Sequence, residues 1–405
     1  MATRPVWAEV SLDRLICNFK LLGRQSAAGL SGPPPELLAV VKADAYGHGV
    51  QFCGPALAAA GARWLGVTSV DEGVTLRRAL GILPSHLSAT RILVMSSLWT
   101  GEAGAVLDHA LTPQVWEAYQ LDLLATAAAR RGLPARSVPV HLEVDTGMAR
   151  QGVAPGPLLA ALLRDHFASG SPLLLEGLMT HFSAPEVLDR LDTEAQLTRF
   201  AEALAQLRAA GLRPLWLHAG NSATVFDPDC RAALAALAQS CDAHCMLRPG
   251  LALYGYPVRF TPSLVEAGGQ AQLQTVLAWK TRISSLREIA PGQGAGYNST
   301  FRATQPTRLA LAPAGYADGL NRLLSNCGVM LVHGQRAPIA GRISMDQTML
   351  DVTRIPEAAI GVEVVILGEQ GGEAITAWEH ADLCRSIPYE ILCNIAGRVP
   401  RLVAD

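Results

Sequence analysis

Lysine is scarce in this chain. Of 33 basic side chains only Lys20, Lys42 and Lys280 are lysine. A lysine kept against such an arginine-rich background is either a surface relic or stands where only a primary amine works, because a guanidinium does not deprotonate and attack a carbonyl. Long apolar runs are also missing. Leu158–Leu163 breaks at Arg164 and Asp165, well short of the roughly 18 to 20 residues of a membrane span, so no membrane association is expected. The opening residues, MATRPVWAEV, lack the apolar stretch of a secretory signal. No charge of one sign dominates. The formal net charge is −2, which leaves no basic surplus to displace counterions from a nucleic acid. Cysteines occur at 17, 53, 230, 241, 245, 327, 384 and 393, with no CxxC pair. A disulfide-stapled secreted domain would be shorter and denser in cysteine, so reduced thiols in a cytoplasm are expected. Cys241 and Cys245 flank His244, but no third and fourth ligand is evident, and no metal site is expected.

What the chain has is apolar mass: 405 residues, 50% hydrophobic and only 17% charged. That composition excludes disorder and leaves room for two domains. Residues 11 to 255 alternate between two kinds of segment. Ser11 is placed to cap a helix in which Leu12, Leu15, Ile16, Phe19 and Leu22 share one face. Short apolar runs follow at 37–41, 64–69, 91–97, 111–115, 138–145, 174–181, 215–221 and 245–250, separated by Ala- and Leu-rich helical stretches. Eight such units in roughly 250 residues match a (β/α)8 barrel. An open doubly wound sheet competes, but no GxGxxG turn supports it.

Several runs end in a polar residue: Lys42, Ser69, Ser97, Asp145, His181 and Asn221. In a barrel these ends gather on one rim. In the fifth run Val138, Val140, Leu142 and Val144 form one face, to be met by helices. Pro139, His141, Glu143 and Asp145 form the other, pointing into the barrel. A carboxylate buried there must be paired or hydrogen-bonded. Beyond 255, Pro257, Pro262 and Gly268–Gly269 mark a linker. From 260 to 405 the sequence reads as a smaller, mostly β domain, which residues 1–10 are free to join as a strand.

The segment Ala39-Val40-Val41-Lys42-Ala43-Asp44-Ala45-Tyr46-Gly47-His48-Gly49 carries the chemistry. A buried strand delivers Lys42 to the rim, where desolvation lowers an ammonium pKa and frees an amine to form a Schiff base. Taken alone, these residues fit a lysine that merely snorkels to solvent at least as well.

The segment resembles the pyridoxal-phosphate lysine motif of bacterial alanine racemases, a family built as an N-terminal barrel and a C-terminal β domain. The resemblance extends in order through Val144-Asp145-Thr146-Gly147-Met148-Ala149-Arg150, Thr180-His181-Phe182, His218-Ala219-Gly220-Asn221-Ser222-Ala223, Arg248-Pro249-Gly250-Leu251-Ala252-Leu253-Tyr254-Gly255, Gly296-Tyr297, Gly315-Tyr316-Ala317-Asp318-Gly319, Gly341-Arg342-Ile343-Ser344-Met345-Asp346-Gln347 and Arg398-Val399-Pro400-Arg401. Each is weak by itself, and the ordered set is specific. It implies racemisation of L- and D-alanine for peptidoglycan. Lys42 would bind pyridoxal 5'-phosphate and act as one base. Tyr297, from the other subunit of a homodimer with shared sites, would act as the second base. It implies that His181 and Arg248 support Tyr297, that Arg248 partners the pyridine nitrogen and that Arg150 lies near the phenolic oxygen. Tyr46, Asn221, Ser222 and the amides of Gly250 and Leu251 would serve the phosphate side. Arg150, Tyr316, Met345 and Asp346 would serve the substrate. A methionine such as Met345 is otherwise a common core residue.

Two departures from the family pattern matter. Glu143 stands where many members carry a carbamylated lysine, and is expected to be ionised and to pair with or orient Arg150. Gly397 stands where some members place a phosphate-binding tyrosine, and Tyr389 lies too far along the chain to be assumed a replacement. Trp7, Trp64, Trp99 and Trp279 read as packing, His48 as structural and His218 as an anchor for the loop before Asn221. Competing functions are a racemase of serine, lysine or broad specificity, a decarboxylase of the same fold, whose cysteine-containing motif Cys327 does not match, and a non-catalytic cofactor-binding protein.

Overall fold

Val6–Ser11 forms the first strand, β1, and the Ser11 hydroxyl then accepts the Arg14 amide at 3.3 Å, capping the helix Leu12–Ala27. Leu15 and Leu22 of that helix are buried, and Ile16 and Phe19 are half-buried beside them. The apolar face expected from the spacing is the face that packs. The computed structural model describes residues 4–81, 89–262 and 270–404. These fall into two compact units, one of Met1–Leu15, Tyr46–Gly49 and Gln274–Asp405, the other of Ile16–Ala45 and Val50–Leu273.

The larger unit is a closed barrel of eight strands: β2 (Glu36–Val40), β3 (Trp64–Val67), β4 (Arg91–Val94), β5 (Leu111–Val115), β6 (Val138–Glu143), β7 (Leu173–Met179), β8 (Trp216–His218) and β9 (His244–Leu247). Neighbouring strands are parallel, and β9 closes on β2 through Glu36↔Met246. Parallel neighbours require a crossover, supplied by helices such as Val70–Leu80, Ala118–Arg130, Pro157–His166 and Leu191–Ala209. Each apolar run of the sequence coincides with one of these strands, so the expected (β/α)8 barrel is present. Because all strands run the same way, Lys42, Asp145, His181 and Asn221 emerge at one rim. The alternation of β6 is realised as well. His141 and Glu143 are buried, and their hydrogen bonds run to side chains of β5, β7 and β8.

The second unit is mostly β, as expected. Its largest sheet joins β10 (Leu277–Arg282), β15 (Val329–Val332), β16 (Gln335–Pro338), β18 (Glu363–Gln370), β19 (Glu373–Ile375) and β20 (Arg401–Ala404) with β1. The N-terminal strand pairs antiparallel with β10, Val6 opposite Thr281, and parallel with β20, Ala8 opposite Arg401. A three-stranded sheet of β11 (Ser285–Ile289), β14 (Thr307–Ala312) and β17 (Thr348–Asp351) and a short hairpin of β12 (Gly294–Ala295) and β13 (Phe301–Arg302) complete it. Gly268–Gly269, read as part of a linker, lie outside the described residues.

Trp64 and Trp279 are buried, whereas Trp99 is 65% exposed and is not a packing residue. Its own amide is held by the Glu102 carboxylate at 2.7 Å, so the chain is fixed there without burying the indole. Among the described residues no helix is long and apolar enough to cross a membrane, no cysteines are bridged and no cluster of three or more His, Cys, Asp or Glu side chains could hold a metal.

Candidate active site

β2 ends one residue short of Val41, and Lys42 opens a left-handed turn. Ala43, Asp44, Ala45 and Tyr46 all have φ between 51 and 55°. For residues with a Cβ this conformation costs about 1–2 kcal/mol each, so it persists only when neighbours enforce it. The sequence suggested a glycine-containing loop. Instead the strain falls on four residues that precede Gly47, and three carboxylate contacts hold it. Glu72 accepts the Ala43 and Thr68 amides at 2.9 and 2.7 Å, and Asp44 accepts the Val50 amide at 2.7 Å. Glu72 and Asp44 were not singled out from sequence, because one acidic residue near a helix start looks like any other. Lys42 itself is half-buried.

Arg248 lies just past β9, anchored where its amide meets Gly220 O at 2.9 Å. Its guanidinium is buried and donates to His218 Nδ1 at 3.0 Å, Thr180 O at 2.8 Å, His181 Nδ1 at 3.1 Å and Ala219 O at 3.1 Å. Burial, offset by Glu143 and reinforced by Arg150, pushes its pKa down to about 10, so it remains a cation at neutral pH. Burial, then Arg248, Arg150 and Lys42, push His181 down to about 3. The imidazole is therefore neutral. Because Arg248 can only donate, His181 Nδ1 is the acceptor and its hydrogen sits on Nε2. Lys42, Arg150, Arg248 and His181 thus share one electrostatic neighbourhood at the barrel rim.

Glu143 closes β6 and differs from expectation. Its Oε2 receives the amides of Gln151, at 2.8 Å, and of Gln114. Arg150 is exposed and acts on it only at longer range. Burial, opposed chiefly by Arg248, raises the Glu143 pKa to about 7. A carboxyl taken out of water without a direct cation partner holds its proton more tightly; in place of a direct Glu143–Arg150 pair there is a clamp of two amides, with Arg150 acting at longer range. Gln114 and Gln151 were not anticipated.

Asn221 and Ser222 follow β8. The Asn221 side chain accepts the Ala223 amide at 2.8 Å, which caps the short turn Ser222–Phe226. Ser222 Oγ accepts the amides of Gly250 at 3.0 Å and Ala252 at 3.3 Å. The Gly250 amide, expected to face a phosphate, is thus turned to Ser222, whose own hydroxyl hydrogen is left to point elsewhere. Leu251 is buried and begins the turn Leu251–Tyr254, and the Tyr254 hydroxyl bonds Val40 O at 3.0 Å, tying this segment to the strand that delivers Lys42.

The remaining predicted residues belong to the second unit. Tyr297 opens a short turn, with Asn298 in the left-handed region, and is 68% exposed. Tyr316 is 44% and Met345 54% exposed, which rules out plain core for Met345. Tyr316 N bonds Ser344 O at 3.0 Å and Ala317 N bonds Met345 O at 2.9 Å, so the two segments form one platform. A Cβ on Gly315 would lie 2.3 Å from Ser344 O; only glycine lets the backbones approach. Asp318 fixes the platform. It is fully buried, accepts Arg4 Nη1 at 2.7 Å, Arg398 Nε at 2.8 Å and its own turn's Gly315 amide at 2.9 Å, and Arg398 reaches on to Asp346 at 2.6 Å. Tyr46 is buried within this unit, its ring 5.8 Å from that of Tyr389. Burial raises its pKa, so its hydroxyl stays protonated. The helix Pro388–Cys393 brings Tyr389 to Tyr46 despite their separation in sequence.

The chain matches the family model "Alanine racemase, N-terminal domain" over residues 10–258 and "Alanine racemase, C-terminal domain" over 276–403. It is 39% identical over 402 residues to an alanine racemase of Symbiobacterium thermophilum, covering 98% of this chain and 97% of that one. A solved alanine racemase from Streptomyces coelicolor A3(2) is similar with a TM-score of 0.86 and 32% identity, over 99% of this chain and 98% of that chain. Another from Bartonella henselae, described with covalently bound pyridoxal phosphate, gives 0.80 and 25% identity over 99% of both chains.

Proposed function

The chain belongs to the alanine racemase family, and we propose that it interconverts L- and D-alanine with pyridoxal 5'-phosphate as cofactor. We assign it to the cytoplasm, supplying D-alanine for peptidoglycan, and to a homodimer with shared sites. The observation that carries the reading is the barrel rim, where Lys42 follows β2, Arg150 lies in the loop after β6, and the buried Arg248 guanidinium donates to His181 and His218. A rim so rich in cations favours an anionic ligand, and pyridoxal phosphate brings a phosphate and a phenolic oxygen. The donor set therefore fits the cofactor.

Lys42 would hold it through its amine, Arg150 would face the phenolic oxygen and Arg248 the ring nitrogen, with His181 beside it. Tyr46, Asn221, the Ser222 hydroxyl hydrogen and the Leu251 amide would serve the phosphate, with the Gly250 amide holding Ser222 Oγ in place. When bound, the cofactor supplies the electron sink that acidifies the substrate Cα–H. Arg248 has only donors and remains a cation at neutral pH, so it would offer the ring nitrogen a hydrogen bond without giving up a proton to it. Lys42 takes or returns the proton at Cα on one face. Tyr297 from a second copy does the same on the other. The exposure of Tyr297, Tyr316 and Met345 on the C-terminal unit supports their serving another copy's site, with Tyr316, Met345, Asp346 and Arg150 receiving the substrate.

The test is incubation of the loaded protein with each L-amino acid followed by chiral analysis. D-alanine is expected to form fastest. A different enantiomer forming faster, or none forming, overturns the reading.

A further inference from the structure

Beneath Arg248 a file of polar side chains runs inside the barrel toward the opposite rim. His218, the last residue of β8, meets Arg248 Nη1 through Nδ1 at 3.0 Å and His141 Nδ1 through Nε2 at 2.9 Å. His141 lies mid-strand on β6, and its Nε2 reaches Glu176 Oε2 at 3.3 Å. Glu176, mid-strand on β7, is gripped by both Nη atoms of Arg91, the first residue of β4, at 3.0 and 2.7 Å. Arg91 also bonds Thr112 Oγ1 at 2.9 Å and lies 4.3 Å over the Trp64 ring. His141 and His218 are fully buried. Glu176 and Arg91 line a cavity of about 730 Å³.

The two ends dictate every hydrogen between them. Arg248 has no lone pair to offer, so His218 Nδ1 must accept and the His218 hydrogen sits on Nε2. That hydrogen points at His141 Nδ1, which must accept in turn, leaving the His141 hydrogen on Nε2. It is donated to Glu176, a carboxylate that, against burial, the hydrogen bonds from His141 and Arg91 hold ionised. Burial opposes charge on both rings, and both are held neutral. Each ring is thus a one-way link, with a cation at one end and an anion at the other.

We propose that Arg91, Glu176, His141 and His218 form a directional hydrogen-bond relay that positions the Arg248 guanidinium, which makes Glu176 a positioning residue for the racemase reaction although it lies mid-strand, away from the rim that carries Lys42. The inference rests on the proposed function for its kinetic arm alone. A relay with fixed polarity leaves His218 unable to rotate or protonate, and so leaves Arg248 one orientation. An oppositely polarised chain would set a donor against a donor at Arg248, a buried clash that low dielectric makes expensive.

Two measurements test it. In apoprotein carrying 15N-histidine, the signals of His141 and His218, assigned by their loss in His141→Gln and His218→Gln, are expected to show a protonated Nε2 and a bare Nδ1 at neutral pH. A hydrogen on Nδ1 of either ring, or a charged imidazolium, overturns the relay. In the loaded enzyme, Glu176→Gln is expected to lower kcat for alanine about tenfold while KM stays within about twofold, with Glu176→Asp recovering most of the loss. A kcat within about twofold of wild type, a change in KM alone, or no recovery in Glu176→Asp overturns it. If Glu176→Gln does not fold, Arg91→Gln is read in the same way. Wild-type protein that makes no D-alanine refutes the proposed function while the histidine signals still decide the relay.

Discussion

His141 on β6 is paired across the sheet with Gly177 on β7, and the imidazole fills the volume a side chain at 177 would need: a Cβ there would lie 2.6 Å from His141 Cγ. Glycine is required at this position for space rather than for backbone freedom. Gly177→Ala should therefore destabilise the protein by about 1–3 kcal/mol, the usual cost of overpacking, and should lower kcat as well, because His141 cannot shift without straining its bonds to His218 and Glu176. Urea unfolding alongside steady-state kinetics reads both effects. Stability and kcat equal to wild type would mean the ring has somewhere else to go.

Glu143 sets a pH dependence of known sign. Its folded pKa of about 7 lies above the ordinary 4.5, so between those values the folded chain holds a proton that the unfolded chain has lost. Stability from this group is greatest at low pH, falls as pH rises toward 7 and stays reduced above it. In apoprotein, Glu143→Gln should gain stability over wild type by up to about 3 kcal/mol more at pH 8 than at pH 4.5. Denaturant midpoints at the two values measure the difference. A gain independent of pH would contradict the buried, amide-clamped carboxyl.

Asp318 has the opposite sign. Arg4 and Arg398 hold its carboxyl below the ordinary 3.8 against the effect of burial. Its contribution is present above that value and lost as the pH falls through the depressed pKa. Asp318→Asn should cost about 1–2 kcal/mol at pH 7, since both guanidiniums reach solvent, and the deficit should close in acid. Loosening the platform of Tyr316 and Met345 should also raise KM for alanine, which initial rates would show.

If Tyr297 serves a second copy's site, as proposed, a mixing experiment shows it. Lys42→Ala and Tyr297→Phe should each lose most turnover as pure proteins. Unfolded and refolded together in equal amounts, they should recover about a quarter of wild-type activity, because half the dimers are mixed and each mixed dimer has one intact site. No recovery would place both bases on one chain.

The barrel was legible because its strands are short apolar runs whose polar ends share a direction, and the interior face of β6 followed from alternation alone. Lys42 stood out against a background of arginine. The left-handed turn after it did not, since Ala43 and Ala45 have no local preference for positive φ and the Ala43 amide is held by Glu72, which is remote in sequence. The amide clamp on Glu143 and the file from His218 to Arg91 were hidden for the same reason. They are assembled across β4 to β8, and a lone buried Gln, His or Glu carries no signal of its partner. Tyr389 was discounted on sequence distance, which a helix near the end of the chain removes.

The proposed racemase activity depends on the amine of Lys42. Loaded protein should be treated with borohydride, digested and mapped by mass spectrometry. One pyridoxyl modification is expected, on the peptide containing Lys42, and none in Lys42→Ala. A modification at Lys20 or Lys280, or unmodified Lys42 in fully loaded protein, would contradict it.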